Sequence, residues 1–574
     1  ELDGLNANVI KRADSTFNFN YIVDAFATKE EDTESKPFLI DLNKIQLQNL
    51  NVSYKDVNSK NDIALKLTDL KTIVKTFDLE TNDYAVDYIN AKGLKLIFNQ
   101  GMLQEVAENV EETVDSLSQN SPLKIGINRL NLQDFDVLYD DENSATRAKI
   151  VFKELSSKIG KLDLPNSDFN IKSLKFKDAF VDVLLTPDSK ASQAVNAETA
   201  KDSVAPASNP LKMLLQSADL DNVNVVYNNG KGENKTKSFN ANHLNIQKIS
   251  GKLSNVQLMG TNVSGELKDV AFNENSGFVL EELSTKFKYA ETETFLEDLT
   301  LKTPQTFLQR SLKLQYNSID DLSNNLGNVA IEANLPNNKI GFKDILWLAP
   351  NLKNTVPFNK YPNAVLNLSA NVKGIVNDLL VQEFKLSGLG NLNVNAAGTI
   401  KNALDTDNLW MNLKINDLTA NKQLITALAP KNSIPNTIEI PQNLSLSGKL
   451  KGSLNDIYAD MGIQTSFGNA KVTGTFNQKV KNAERYDLNA SLAAFNVGKL
   501  LKNKELGVVT ANAKVKGTGL NFENNNAEVD AFVTQADFKG YSYRGIALKG
   551  GLNNGNYNVT LNSDDENAKL NLVA

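Results

Sequence analysis

The sequence predicts an all-β fold: an elongated repeat β-sheet, mostly antiparallel, curled into a trough with an apolar interior and carrying few short helices. Three observations predict it. First, the stretches Lys44–Tyr54, Arg129–Tyr139 and Ser217–Tyr227 align without gaps at spacings of 85 and 88 residues. The same pattern returns at Ile89–Phe98 and Leu174–Val183, so that Ile45, Ile89, Leu130, Leu174 and Ala218 mark a period of 41–44 residues. Self-similarity at this period signals stacked units that bury a shared core through their neighbours. Second, apolar residues alternate at Ile45 and Leu47, skip two polar positions, then alternate again at Leu50, Val52 and Tyr54. Alternation is the strand period, and the skip would turn the later side chains outward unless a bulge or bend restores them. Asn or Asp recurs at that step, as Asn49, Asp134, Asp178 and Asn222. Third, the intervening positions are Asn, Asp, Lys, Gln and Ser, which belong in water. A sheet apolar on one face only is expected to be antiparallel, since parallel sheets are usually covered on both sides.

Taken in order, residues 1–36 read as strands continuing from a longer chain, because Glu1 is not Met and no signal peptide precedes it. Residues 37–121 form a first repeat, opened by Pro37-Phe38 and holding a helical insertion near 101–118. There Leu103, Val106, Val110, Val114 and Leu117 recur at helical steps, as either a lid or partner-binding helix or one packed on its own sheet. Residues 122–209 form a second repeat, opened by Pro122-Leu123, with a flexible loop at 186–209 rich in Ala, Ser, Asp and Lys. Residues 210–340, opened by Pro210-Leu211, form a third repeat with an extension. A second repeat type follows in three copies, at 341–430, 431–505 and a truncated 506–574. Its strands Leu366–Gly374, Leu444–Gly452 and Val509–Gly517 match one another, and Gly374, Gly452 and Gly517 are expected to close them at turns with positive φ. Short helices are expected at Gly341–Ala349, Asn421–Ala429 and Val497–Lys502, folded across the end of each sheet layer.

Composition excludes much chemistry. The chain has 574 residues, a net charge of −7 and no cysteine, which leaves no electrostatic case for nucleic acid and no thiolate metal site or disulfide. No apolar run approaches the roughly 20 residues of a membrane-spanning helix. The single histidine, His243, cannot complete a Cys/His metal site and reads as a strand or surface residue. The acidic pairs Asp140-Asp141, Asp320-Asp321 and Asp564-Asp565 fall between alternating segments and read as solvated turns. No phosphate cradle or dinucleotide fingerprint occurs, so no cofactor is expected and the chain is read as non-enzymatic. The carboxylate pair of a β-helix polysaccharide enzyme is the one catalytic alternative left open.

What remains is the apolar face, which must be covered by a second layer, by its own curvature or by a ligand. An open trough and a closed, packed solenoid both fit the periodicity. The lines Ile45–Asp56 and Leu130–Asp141 share apolar-x-apolar spacing ending in Val-x-Tyr-x-Asp, or its Val-Leu-Tyr-Asp-Asp form. The lines Val372–Asp378 and Leu450–Asp456, and the endings Leu348-Ala349-Pro350 and Leu428-Ala429-Pro430, accompany them. Together these resemble the AsmA-like/TamB group of bacterial envelope proteins, through most of the chain. The resemblance implies a bridge-like lipid transfer protein in the periplasm of a Gram-negative bacterium, the full-length protein anchored in the inner membrane. It implies phospholipids as cargo, contact with inner and outer membranes through parts outside this segment, and links to outer-membrane assembly proteins. Acyl chains are then expected against Ile45, Leu47, Leu50, Val52, Leu94, Leu96, Leu130, Leu132, Phe135, Val137, Leu174, Phe176, Val181, Leu220, Val223 and Val225. The alternative function is a scaffold or chaperone for outer-membrane proteins, acting by strand addition and without lipid.

Overall fold

The computed structural model describes all residues except 27–41, 79–80, 102–123, 187–209, 231–237, 430–433, 481, 521–525 and 554. The helical insertion near 101–118, the loop at 186–209 and the starts Pro37-Phe38 and Pro122-Leu123 therefore lie almost wholly outside the described residues. Strand makes up 70% of the structure and helix 7%, as the alternation predicts. The chain divides into an N-terminal body, residues 1–290 with 299–304, and a C-terminal body, residues 291–298 with 305–574.

The N-terminal body is built from β1 (Leu2–Asp3), β2 (Asn6–Lys11), a short helix α1 (Asn20–Phe26), and strands β3 (Lys44–Asp56), β4 (Asn61–Asp78), β5 (Asp83–Gln100), β6 (Lys124–Asp141), β7 (Thr146–Asp163), β8 (Asp168–Leu185), β9 (Lys212–Asn229), β10 (His243–Met259), β11 (Asn262–Glu274) and β12 (Val279–Tyr289). Strand β13 (Glu293–Lys302) is divided between the two bodies. Within each long repeat the pairing is antiparallel: β3-β4-β5, β6-β7-β8, and β9-β10-β11-β12. Between repeats it is parallel, at β2–β3, β5–β6 and β8–β9. The sheet is thus mostly antiparallel, as the repeat pattern predicts, and the seams between repeats are its parallel exceptions. This pairing also explains the 41–44-residue spacing. Ile45 and Ile89 are separated by the intervening β4, whereas Ile89 lies directly beside Leu130 and Leu174 beside Ala218. The structural repeat is thus the three-stranded meander of about 85 residues, laid in register beside its neighbour.

In-register parallel seams place like residue beside like. Across β5–β6 the amide of Asn131 donates to Asn90 Oδ1 (2.7 Å), and Arg129 meets Asp87 at 2.6 Å. Across β2–β3, Asn51 Nδ2 donates to Asn6 Oδ1 (2.9 Å) and Ser53 Oγ to Asn8 Oδ1 (2.8 Å). Across β8–β9, Asn222 Nδ2 donates to Asp178 Oδ1 (2.8 Å). These polar ladders reinforce pairings that are weaker per residue than antiparallel ones.

The recurring skip is a bend shared by strands β3–β9. Asn49, Asp134, Asp178 and Asn222 all have left-handed backbone, with φ of 51°, 56°, 47° and 54°. Their partner strands carry the same two-residue interruption, Gln48 pairing Asp69 and Leu50 pairing Leu67. No strand gains a residue over its neighbour at this step in β3–β9, so the feature is a crease and not a bulge. It runs through Asn49, Thr68, Gly93, Asp134, Lys153, Asp178 and Asn222. At Gly93 (φ 68°) the backbone is left-handed and a Cβ would press on the Thr68 side chain, which favours glycine there.

The Tyr-x-Asp endings are turn staples. Asp56, buried, accepts from the Asn58 amide (2.9 Å), the Ser59 amide (3.2 Å) and the Tyr54 hydroxyl (3.2 Å), and pairs with Lys11 at 3.4 Å. Asp141 repeats the arrangement with Asn143, Ser144 and Tyr139.

The C-terminal body holds β14 (Phe307–Gln315), α2 (Asp321–Asn324), β15 (Ala330–Gly341), α3 (Phe342–Leu348), β16 (Val365–Ile375), β17 (Asp378–Gly388), β18 (Leu392–Lys401), β19 (Trp410–Asn421), α4 (Lys422–Leu428), β20 (Asn443–Ser453), β21 (Asp456–Thr465), β22 (Gly468–Asn477), β23 (Arg485–Asn496), α5 (Val497–Leu501), β24 (Leu506–Thr518), β25 (Asn526–Phe538), β26 (Tyr541–Asn553), β27 (Asn556–Asp564) and β28 (Lys569–Val573). From β14 onward each strand pairs antiparallel with the next. The expected helices α3, α4 and α5 follow β15, β19 and β23. Every fourth strand of a meander runs the same way, so all three helices lie at one end of the strands. The side chains of Asn421 and Asn496 cap α4 and α5, accepting from the amides of Leu424 and Lys499 at 2.8 Å. Phe342 and Leu424 plug the strand ends, packed with Leu389, Ala420 and Phe358. The glycines behave differently from expectation. Gly374 and Gly452 have positive φ, but Gly517 does not, and all three lie inside strands. At Gly517 the constraint is space, since a Cβ would meet the Asn526 carbonyl and the Tyr486 hydroxyl at 2.5 and 2.6 Å.

Two outcomes are expected. Asp134→Val should lower the urea-unfolding midpoint, with a loss of about 1–2 kcal/mol for a branched side chain in left-handed backbone, while Asp134→Gly should leave it nearly unchanged. Burial raises the Asp56 pKa, but the Ser59 and Asn58 hydrogen bonds and Lys11 more than reverse this and hold it at about 2. A folded pKa below the usual 3.8 stabilises the fold above pH 4, and that contribution fades as pH falls toward 2. Thermal unfolding between pH 6 and pH 2.5 should show this slope, and Asp56→Asn should flatten it.

Candidate functional site: an apolar groove along the crease

The repeats place their apolar side chains in cross-strand rows. Leu50, Leu67, Leu94, Phe135, Phe152, Ala179 and Val223 form one row, next to the crease. On one side runs the row Leu47, Leu70, Ala91, Leu132, Leu155, Phe176, Leu220, and beyond it the row that contains Ile45, Ile89, Leu130 and Leu174. On the other side run Val52, Leu65, Leu96, Val137, Ile150, Val181 and Val225. All sixteen residues expected from the sequence fall in these four rows, on one face.

Burial separates a floor from walls. In the row beside the crease, exposure runs from 1% at Ala179 to 8% at Leu50 and Phe135, with Leu94 alone half-buried. Leu47, Leu94, Leu132, Val137, Phe176, Leu220 and Val225 pack against that floor. Leu174 belongs instead to a second cluster with Leu215, Ala218 and Val256. Ile45, Val52, Leu96, Leu130 and Val181 are half-buried and join neither cluster. A flat single sheet could not bury its floor this far without a covering layer. Bending every strand at the same place lets the two halves of the face shield the bottom of the fold while the walls keep part of their surface open. The floor is also the aromatic centre, with Phe135 stacked on Phe152 at 5.1 Å and Phe152 edge-on to Phe176 at 5.4 Å.

Sequence reasoning missed the contributions of β4 and β7, namely Leu65, Leu67, Leu70, Ile150, Phe152 and Leu155. The signal was present: Leu67 to Leu70 and Phe152 to Leu155 show the same three-residue step as Leu47 to Leu50, read along strands of opposite direction.

The polar candidates are structural. His243 begins β10 and its Nδ1 lies 3.0 Å from Asn228 Oδ1. In each acidic pair the second residue is buried: Asp141, Asp321 and Asp565. Asp321 accepts from the Asn317 amide at 3.0 Å, and Asp565 from the Arg544 amide at 2.9 Å and the Tyr541 hydroxyl at 2.8 Å. Hydrogen bonds from Asn325 and the Asn317 amide hold Asp321 below the usual carboxylate range, and those from Asn567 and Tyr541 do the same for Asp565. These oxygens are engaged in closing turns.

Fold and site together define a creased, one-faced β-sheet protein whose N-terminal body carries an apolar groove. No family model, no curated protein and no solved structure matches the chain. Among the described residues no helix is long and apolar enough to cross a membrane.

The floor and the walls should respond differently to truncation. Phe152→Ala should destabilise the protein by about 3–5 kcal/mol, and Leu96→Ala on the half-open wall by less than half of that, measured by chemical unfolding.

Proposed function

We propose that the groove of the N-terminal body holds the acyl chains of phospholipids, and that the protein carries lipid between the inner and outer membranes of a Gram-negative envelope. The observation that carries this reading is the row Val52, Leu65, Leu96, Val137, Ile150, Val181 and Val225, half-buried on every strand from β3 to β9 beside a packed floor. From β3 to β9 such a groove runs about 29 Å at a strand spacing of about 4.8 Å. Each methylene withdrawn from water contributes about 0.8 kcal/mol, so acyl chains are retained without any directional bond. The rows repeat at every strand, so a chain sliding along them exchanges one apolar neighbour for an equivalent one and meets low barriers. Head groups stay at the hydrated strand ends, where the Tyr-x-Asp turns lie. The periplasmic setting and the two membranes rest on the resemblance to AsmA-like and TamB proteins.

Organic extracts of the protein purified without detergent test this by mass spectrometry. Several phospholipids per chain are expected. Leu96→Glu combined with Val181→Glu, on the open wall, should remove most of them while the protein remains folded. Phe180→Glu, an exposed position on the opposite face, should leave the lipid content unchanged. A folded, lipid-free wild-type protein overturns the reading.

A further inference from the structure

The polar face of the C-terminal body carries a second concavity, of about 830 Å³, across β21–β27. Its lining is unlike the polar face of the N-terminal body, where amides bond one another across the seams. By register, Asn477, Arg485, Thr518, Asn526, Asn553 and Asn556 stand in one row, one residue from each of β22–β27. Among the described residues, neither the Arg485 guanidinium nor the side-chain amides of Asn526, Asn553, Asn556 and Asn558 make a hydrogen bond or ion pair. Gly551, in the next row, leaves room above the sheet.

Charge narrows the ligand class. Arg485 and Lys516 are set against Asp456, Asp487 and Glu528, so the hollow has no cationic excess to attract phosphate or nucleic acid. A side-chain amide offers both a donor and an acceptor at fixed separation, which matches neighbouring hydroxyls on a sugar ring. The row repeats at about 4.8 Å over about 24 Å, a ladder suited to a linear chain lying across the strands. We propose that this hollow is a binding site for a linear, uncharged oligosaccharide, with Arg485 and the asparagine ladder contacting successive sugar hydroxyls. The site is on the other body from the apolar groove and stands whether or not that groove holds lipid.

Isothermal titration of the full chain with cellohexaose, maltohexaose and chitohexaose tests it. At least one should bind, and its affinity should fall at least tenfold in Asn526→Ala combined with Asn553→Ala, and again in Arg485→Ala. Asn556→Ala, a single exposed truncation with little risk to folding, should weaken binding at least threefold. Absence of binding by all three neutral hexasaccharides, or binding that survives these substitutions in folded protein, overturns the proposal. Binding confined to an acidic probe such as hexagalacturonate also overturns it.

Discussion

The constraint on which the N-terminal body depends is the left-handed crease. A strand rises about 3.3 Å per residue, so the 18-residue strands of this body would each span close to 60 Å if straight. A straight sheet that wide, greasy on one side, would stand exposed to water over its whole area. Placing one left-handed residue, Asn, Asp or Gly, at the same height in β3, β5, β6, β8 and β9 bends all of them together. The hydrogen-bond ladder continues on both sides of the bend because both partners skip the same step. Floor burial, aromatic clustering and the half-open walls all follow from that single line. Asn and Asp tolerate left-handed backbone better than other side-chain-bearing residues, which is why they recur where the alternation breaks.

Much of this was legible in the chain itself. The gapless alignment of Lys44–Tyr54, Arg129–Tyr139 and Ser217–Tyr227 amounts to a register map, since in-register parallel seams put aligned residues side by side. Asn49, Asp134, Asp178 and Asn222 could be read as the bend from the skip beside them. The helices after β15, β19 and β23 were visible from apolar spacing. Parallel pairing was not, because alternation reports which face a side chain occupies and carries no information on strand direction. Nor was the share of β4 and β7 in the floor, where Leu67–Leu70 and Phe152–Leu155 run against the direction of the aligned motif. At Gly517 composition suggested a turn, but the physical reason for glycine is the nearness of the Asn526 carbonyl and Tyr486.

The two faces of the sheet answer different demands. On the apolar face three of the four rows are apolar at every strand from β3 to β9, and Thr72 and Ser157 interrupt only the outermost, so specificity there is a matter of cross-section. On the polar face, side chains meet across the parallel seams as matched pairs, Asn90 with Asn131 and Asp178 with Asn222. These pairs fix the register of strands that no tight hairpin joins, and a slip of one residue would send every apolar row into water. The polar face of the N-terminal body thereby protects the apolar one.

A parallel seam between like three-stranded meanders has an evolutionary consequence. Each meander is a translational copy of its neighbour, entering and leaving at equivalent positions. Duplication or deletion of one copy of about 85 residues changes the length of the groove by about 14 Å, three strand spacings, and leaves its width and lining as they were. Reach and bore are thus inherited separately: gene length sets the first, and the handful of residues beside the crease sets the second.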